Sequence, residues 1–214
     1  MMKNEISKPS LKGPGRPSKS GYSHQTVRDK LVWCGTALLT EKGFNSTGIE
    51  EILRQVNVPK GSFYHYFKNK EAFGEAVIEN YAAYFNNKLQ KHLADDNYPA
   101  LQRLQNFIEE IKQGMAKYDF QRGCLVGNMG QELGNSNDRF RDQLEAVFQS
   151  WQQQVSVCLQ LAQNEGTLAK TANCDYLAEF FWIGWEGAVL RSKLTRNHQP
   201  LSIFSTQFFA LLPN

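Results

Sequence analysis

The chain lacks most of the features that mark a membrane, secreted or metal-binding protein. No window approaches the roughly 18 uninterrupted apolar residues that a membrane span requires. The longest apolar stretch, Phe180 to Leu190, is broken by Glu186. No apolar block occurs in the first twenty-two residues, so no secretory signal is expected and the expected location is cytoplasmic. Four cysteines, Cys34, Cys124, Cys158 and Cys174, lie far apart without CxxC spacing. That excludes a disulfide framework or zinc site of the usual pattern, and no metal or cofactor is expected. Convincing strand patterns and internal repeats are also missing. What remains is an ordinary globular composition, 41% hydrophobic and 21% charged over 214 residues, which predicts an all-α protein.

Charge is present but unevenly placed. Residues 1–70 carry twelve Lys and Arg against five Asp and Glu, whereas residues 71–214 carry twelve against sixteen. A basic end is suited to a polyanion, or simply to keeping the chain in solution. Residues 1–22 are rich in Pro, Gly, Ser and Lys, which predicts a flexible basic arm. Within it, Gly15-Arg16-Pro17 between Lys12 and Lys19 resembles the core of an AT-hook, with Arg16 along an A·T-rich minor groove. A generic basic tail explains the same tripeptide.

From Ser23 the pattern becomes helical. Val27, Leu31, Cys34 and Leu38 share one face of a helix that Gly43 ends. Thr47-Gly48-Ile49-Glu50 reads as a capping box opening a short helix, with Ile49, Ile52, Leu53 and Val56 inward. After Asn57-Val58-Pro59 comes a second short helix, 60–67, completing a helix-turn-helix. Phe63 and Phe67, four apart, anchor this helix, which leaves Ser62, Tyr64 and His65 outward. Lys60 suits phosphate, Gly61 a close backbone approach, Tyr64 a phosphate oxygen and His65 a base edge. Lys70 and the Thr47 hydroxyl are further phosphate candidates. Asn69 caps a long helix to about Leu93, with Phe73, Val77, Tyr81, Tyr84 and Leu89 inward. Further helices are predicted at about 99–117, 123–134, 138–164, 174–196 and 201–212. The chain therefore divides into an arm (1–22), a helix-turn-helix domain (23–70) and a ligand-binding and dimerisation domain (71–214).

Two later segments stand out. Residues 123–130 hold three glycines in a predicted helix, and glycine costs about 1 kcal/mol per helical position relative to alanine. Such a run provides close packing, a kink or room for a ligand. On the helix near 174–196, Ala178, Trp182, Trp185, Glu186, Val189 and Lys193 share one face, opposite Phe180, Ile183, Gly184, Gly187, Arg191 and Leu194. The first face is expected to line an interior ligand cavity completed by Trp151, Phe148, Phe107 and Tyr81. The second, with its two glycines, is expected to meet a partner helix in a homodimer.

The run Pro59-Lys60-Gly61-Ser62-Phe63-Tyr64-His65-Tyr66-Phe67, with Lys70-Glu71, Gly43-Phe44 and Thr47, resembles the signature of the TetR family of repressors. The resemblance implies an all-α homodimer that binds a palindromic double-stranded operator and releases it on binding a small molecule. Residues 123–128 and 181–188 resemble a branch whose members respond to acrylate and, more distantly, to N-ethylmaleimide. It implies a small unsaturated or electrophilic effector. It also assigns a sensing cysteine and lysine to Cys124 and Lys193, with Asn128 beside them as a ligand contact, and predicts that the Lys193 ammonium lowers the Cys124 pKa. Two other readings compete: an architectural DNA-binding protein without an effector, and a thiol enzyme acting on electrophiles through Cys124.

Overall fold

The computed structural model describes residues 26–213, so the basic arm and its candidate Arg16 lie outside the described residues. Among the described residues there are nine α-helices and no strand. A sixteen-residue helix, α1 (Val27–Lys42), comes first, followed by two short ones, α2 (Ile49–Val56) and α3 (Lys60–Tyr66). A long helix, α4 (Lys70–Leu93), leads into α5 (Ala100–Lys117), α6 (Leu125–Leu133), α7 (Asp138–Glu165), α8 (Cys174–Thr195) and α9 (Gln199–Ala210). Each predicted helix is present, with ends shifted by a few residues at most.

Caps explain the boundaries. Thr26 and Asp29 exchange hydrogen bonds, each 3.1 Å, in a capping box that opens α1. Gly43 ends α1 at φ 89°, a conformation that only glycine adopts without strain. Asn69 accepts from Ala72 N–H at 2.8 Å and so opens α4, as its position predicted. The predicted capping box at α2 does not form. Gly48 is the N-cap there and makes no side-chain cap. Thr47 is instead fully buried, with its hydroxyl donating to Gly43 O at 2.7 Å, and it braces the turn.

The helices pack around one continuous core. Phe63 and Phe67 of the recognition segment meet Phe73 of α4 at ring separations of 5.3 and 5.1 Å. Each such buried ring contributes about 1.5–3 kcal/mol. This anchorage makes α4 a rigid stem shared by the two parts of the molecule. Farther along it, Tyr81 and Phe85 enter an aromatic cluster with Phe107, Trp151 and Trp182, in which Phe85 and Trp151 lie 4.4 Å apart. Tyr84 does not point inward as predicted; it is 43% exposed, and Phe85 takes the core position.

Candidate DNA-binding and effector sites

Helix α3 presents the division of faces that a recognition helix needs. Phe63 is fully buried, while Tyr64 is 51% exposed, and Lys60, Gly61 and His65 are exposed beside it. Ser62 is half-buried. Lys60 Nζ lies 3.2 Å from Glu50 in an exposed ion pair, which is weak enough for a phosphate to displace. Tyr66, not singled out from the sequence, is also exposed and lies edge-on to His65 at 4.8 Å. Two phosphate candidates make contacts within the chain. The Thr47 hydroxyl is used within the turn, as described above. Lys70 sits 4.6 Å above the Phe44 ring and donates to Asn45 O at 3.4 Å, and burial lowers its pKa. Both residues hold the helix-turn-helix in shape.

The glycine-rich segment has a definite use. Gly123 and Gly127 make room for two side chains of α8. A Cβ at Gly123 would come within 2.7 Å of the Lys193 Cδ, and one at Gly127 would overlap the Glu186 carboxyl. Glu186 and Lys193 therefore cross close to the start of α6, where Cys124 is the N-cap and its sulfur accepts from Gly127 N–H at 3.4 Å. The thiol of Cys124 and the Glu186 carboxyl are neighbours across Gly127. Burial, and then the negative charge of Glu186, push the Cys124 pKa well above its ordinary value. The expected lowering by Lys193 is thus reversed, and the thiol is held protonated. Glu186 is itself pushed up to about 7 by burial, and the nearby Cys124 thiol only partly offsets this. Tyr81, buried beside them, is also raised, first by burial and then by Cys124 and Glu186.

Among the described residues, the side chains expected to line one aromatic cavity do not share one: Phe107, Trp151 and Trp182 pack against each other. Trp185 leaves the group altogether and stacks on Phe181, 5.8 Å away, beneath Phe204 of α9. Gly184 likewise packs on Phe204 of its own chain. Separate cavities flank the cluster. One, of about 290 Å³, lies among α1, α4 and α5 and is lined by Trp33, Tyr81, Tyr84, Lys88, Tyr118 and Arg122, among others. A second, of about 400 Å³, lies among α6, α7 and α8, with Glu145, Phe148, Glu179, Trp182 and Glu186 in its wall. Lys193 lines neither of these. It faces a third cleft of about 300 Å³ together with Glu41, Asn128 and Glu132.

That third cleft marks the joint between the two parts of the molecule. Asn128, expected as a ligand contact, donates from Nδ2 to Thr40 O of α1 at 2.9 Å. One turn later, Glu132 accepts from Phe44 N–H at 2.6 Å and from Asn45 N–H at 2.7 Å. Sequence reasoning missed Glu132, since its partners lie 88 and 87 residues away and no local pattern marks it.

A helix-turn-helix with an exposed polar reading face, mounted on a helical body with open clefts, defines a DNA-binding transcription regulator. The family model described as bacterial regulatory proteins, tetR family, matches residues 35–77. The model described as tetracyclin repressor-like, C-terminal domain, matches residues 100–208. The transcriptional regulator AcuR of Cereibacter sphaeroides is 45% identical over 91% of this chain and 88% of its own. A crystal structure of a regulatory protein TetR from Rhodobacter sphaeroides superposes with a TM-score of 0.83 at 46% identity, covering 86% of this chain and 97% of that one. The reduced form of E. coli NemR superposes at 0.76 with 25% identity, covering 86% and 96%. The chain belongs to the TetR family of transcriptional repressors and binds operator DNA; it is a regulator, not an enzyme. Among the described residues no helix is long and apolar enough to cross a membrane.

Proposed function

We propose that the protein grips a near-palindromic operator as a homodimer and is released by a small unsaturated or electrophilic carboxylate such as acrylate. The observation that carries the release step is the double attachment of α6. At its start, Gly123 and Gly127 lie against Lys193 and Glu186 of α8; farther along, Asn128 and Glu132 hold α1 and the following turn. A ligand that moves α6 relative to α8 must also move the helix-turn-helix, provided that it binds the two arrangements unequally. A carboxylate finds cationic partners in the cavity among α1, α4 and α5, where Lys88 and Arg122 stand without an acidic residue in the wall. The raised Cys124 pKa favours reversible binding over covalent addition, since the thiolate is the nucleophile.

Homodimerisation is supported by an open apolar face. Phe180, Ile183 and Leu194 on α8, and Ile203 and Leu211 at α9, are all between 47% and 71% exposed. A contiguous patch of this kind marks an interaction surface. Pairing it across a twofold axis puts the two α3 helices in successive major grooves, roughly 34 Å apart. Ser62, Tyr64 and His65 then face the bases or backbone, Lys60 and Gly61 meet phosphate, and Arg16 of the arm enters an adjacent minor groove. Fluorescence anisotropy of labelled DNA from upstream of the gene tests the reading. Binding should be tight and should be relieved by acrylate, also in Cys124→Ser. Unrelieved binding at saturating acrylate would rule out this effector class, and a monomer by light scattering would remove the dimer.

A further inference from the structure

The cavity among α6, α7 and α8 has a chemistry that the acrylate reading leaves unused. Three of its lining residues are acids, Glu145, Glu179 and Glu186, and no basic residue lines it. Trp182 and Phe148 supply aromatic surface in the same wall. Trp182 and Glu186 are four apart on α8, so both project from one side of the helix. Glu145 and Glu179 are exposed at the rim. Glu186 Oε1 is shut off from solvent and has no hydrogen-bond partner, and the same is true of Trp182 Nε1. A buried polar atom left unpaired is destabilising, so a ligand that sets a positive charge against the Glu186 carboxylate and an acceptor on Trp182 Nε1–H gains affinity from both.

We propose that this cavity is a second effector site, specific for a small organic cation that carries an oxygen acceptor. The cation lies between the Trp182 and Phe148 rings and the Glu186 carboxylate, a combination that attracts ammonium and other onium groups. The oxygen accepts from Trp182 Nε1–H. Glu145 and Glu179 at the mouth raise the local concentration of cations and turn away anions. Reaching the two shielded atoms requires the cavity wall to open, and Gly127 of α6 forms part of that wall directly against the Glu186 carboxyl. Occupancy therefore acts on the helix that holds the α1–α2 turn, and a cation changes operator affinity through the same joint.

The site has a pH signature of defined sign. The titratable groups facing Glu186 are Tyr81 from α4, Cys124 at the start of α6, Glu145 from α7 and Glu179 on α8 itself, with Lys193 acting on Cys124 from two turns along α8. Helix α9 carries no titratable side chain. Tyr81 and Cys124 are pushed upward and stay neutral near pH 7, which leaves Glu186, at about 7, as the buried group that titrates there. A cation requires the carboxylate form. Its affinity is full above pH 7 and falls about tenfold for each pH unit below, with a proton released on binding. A carboxylate ligand would show the opposite slope.

Calorimetric titration of the full-length protein with choline, and with its neutral isostere 3,3-dimethylbutan-1-ol, tests the proposal. Choline should bind about tenfold more tightly at pH 8 than at pH 6, and the isostere should not bind measurably. Glu186→Gln, which matches the neutral acid in shape, should weaken choline binding at pH 8 and abolish the slope. The rim variant Glu179→Gln should lose about twofold and keep the slope. No choline binding at pH 8, equal binding of the isostere, or a slope surviving in Glu186→Gln would each overturn the assignment. These results are distinct from failure of the acrylate reading, which is decided by operator release with acrylate.

Discussion

Two cavities flank the same aromatic cluster and differ in the sign of their charge. The one against the DNA-binding helices carries Lys88 and Arg122, whereas the one beneath α6 carries Glu145, Glu179 and Glu186. Their cations and anions are also handled differently. Lys88 is paired with Glu110 at 3.1 Å, and Arg122 lies 3.7 Å from Glu41 and 4.0 Å over the Tyr118 ring. Glu186 has no cationic partner, and its Oε1 is buried without a hydrogen bond. The first cavity is therefore electrostatically satisfied when empty, and the second is not. Unmet capacity in a buried site is paid for in stability and returned on binding, so the second cavity is the more sensitive to pH and substitution.

The largest expected effect follows from that contrast. The folded-state pKa of Glu186, about 7, lies above its ordinary value of 4.5. The folded protein then holds the extra proton between these limits, and stability falls as pH rises from about 4.5 to 7 and is level above. The full shift corresponds to about 2–3 kcal/mol after allowing for partial solvation. Urea unfolding at pH 8 should find Glu186→Gln more stable than the parent by that order, with the difference vanishing near pH 4.5. Equal stability at both pH values would mean that Glu186 is better solvated than its surroundings indicate.

Gly127→Ala sharpens the comparison from the opposite direction. Its Cβ overlaps the Glu186 carboxyl, so it should destabilise the protein by about 1–3 kcal/mol through overpacking. In thermal melts near pH 4.5, where the Glu186→Gln gain vanishes, adding Glu186→Gln should recover little of this, whereas Glu186→Ala, which removes the clash, should recover most of it. In the basic cavity, Arg122→Gln should weaken acrylate-driven operator release by about tenfold, the scale of one charge-assisted hydrogen bond, and leave choline binding unchanged. Loss of both responses would show that the cavities are not independent. The smallest effect lies at the reading head. Lys60→Ala should lower the slope of log affinity against log salt by about 0.9, one phosphate contact, without moving either effector constant.

Much of this molecule could be read along the chain. The helix ends at Gly43, Asn69, Pro99 and Gly166 follow from local caps and breakers, whose physics spans only three or four residues. The inward and outward faces of α3 follow from the four-residue spacing of Phe63 and Phe67. The inward face of α8 could be read as well, since Ala178, Trp182, Trp185 and Val189 are all buried. Knowing that a side chain faces inward did not say which neighbour it meets. Trp185 turned out to serve α9, Asn128 the α1 carbonyl of Thr40, and Lys193 a cleft at the joint.

By itself, then, the amino-acid order determined the helices, their buried faces and a family signature, because helical periodicity and capping act over one or two turns. Only the tertiary structure decided that Gly123 and Gly127 at the start of α6 accommodate Lys193 and Glu186, that Glu132 clasps the α1–α2 turn, and that clefts of opposite charge flank the core. Each of these depends on residues some 60 to 90 positions apart being brought within a few ångströms. Burial then changes their chemistry, since a carboxyl removed from water holds its proton near neutral pH and a thiol beside it keeps its own.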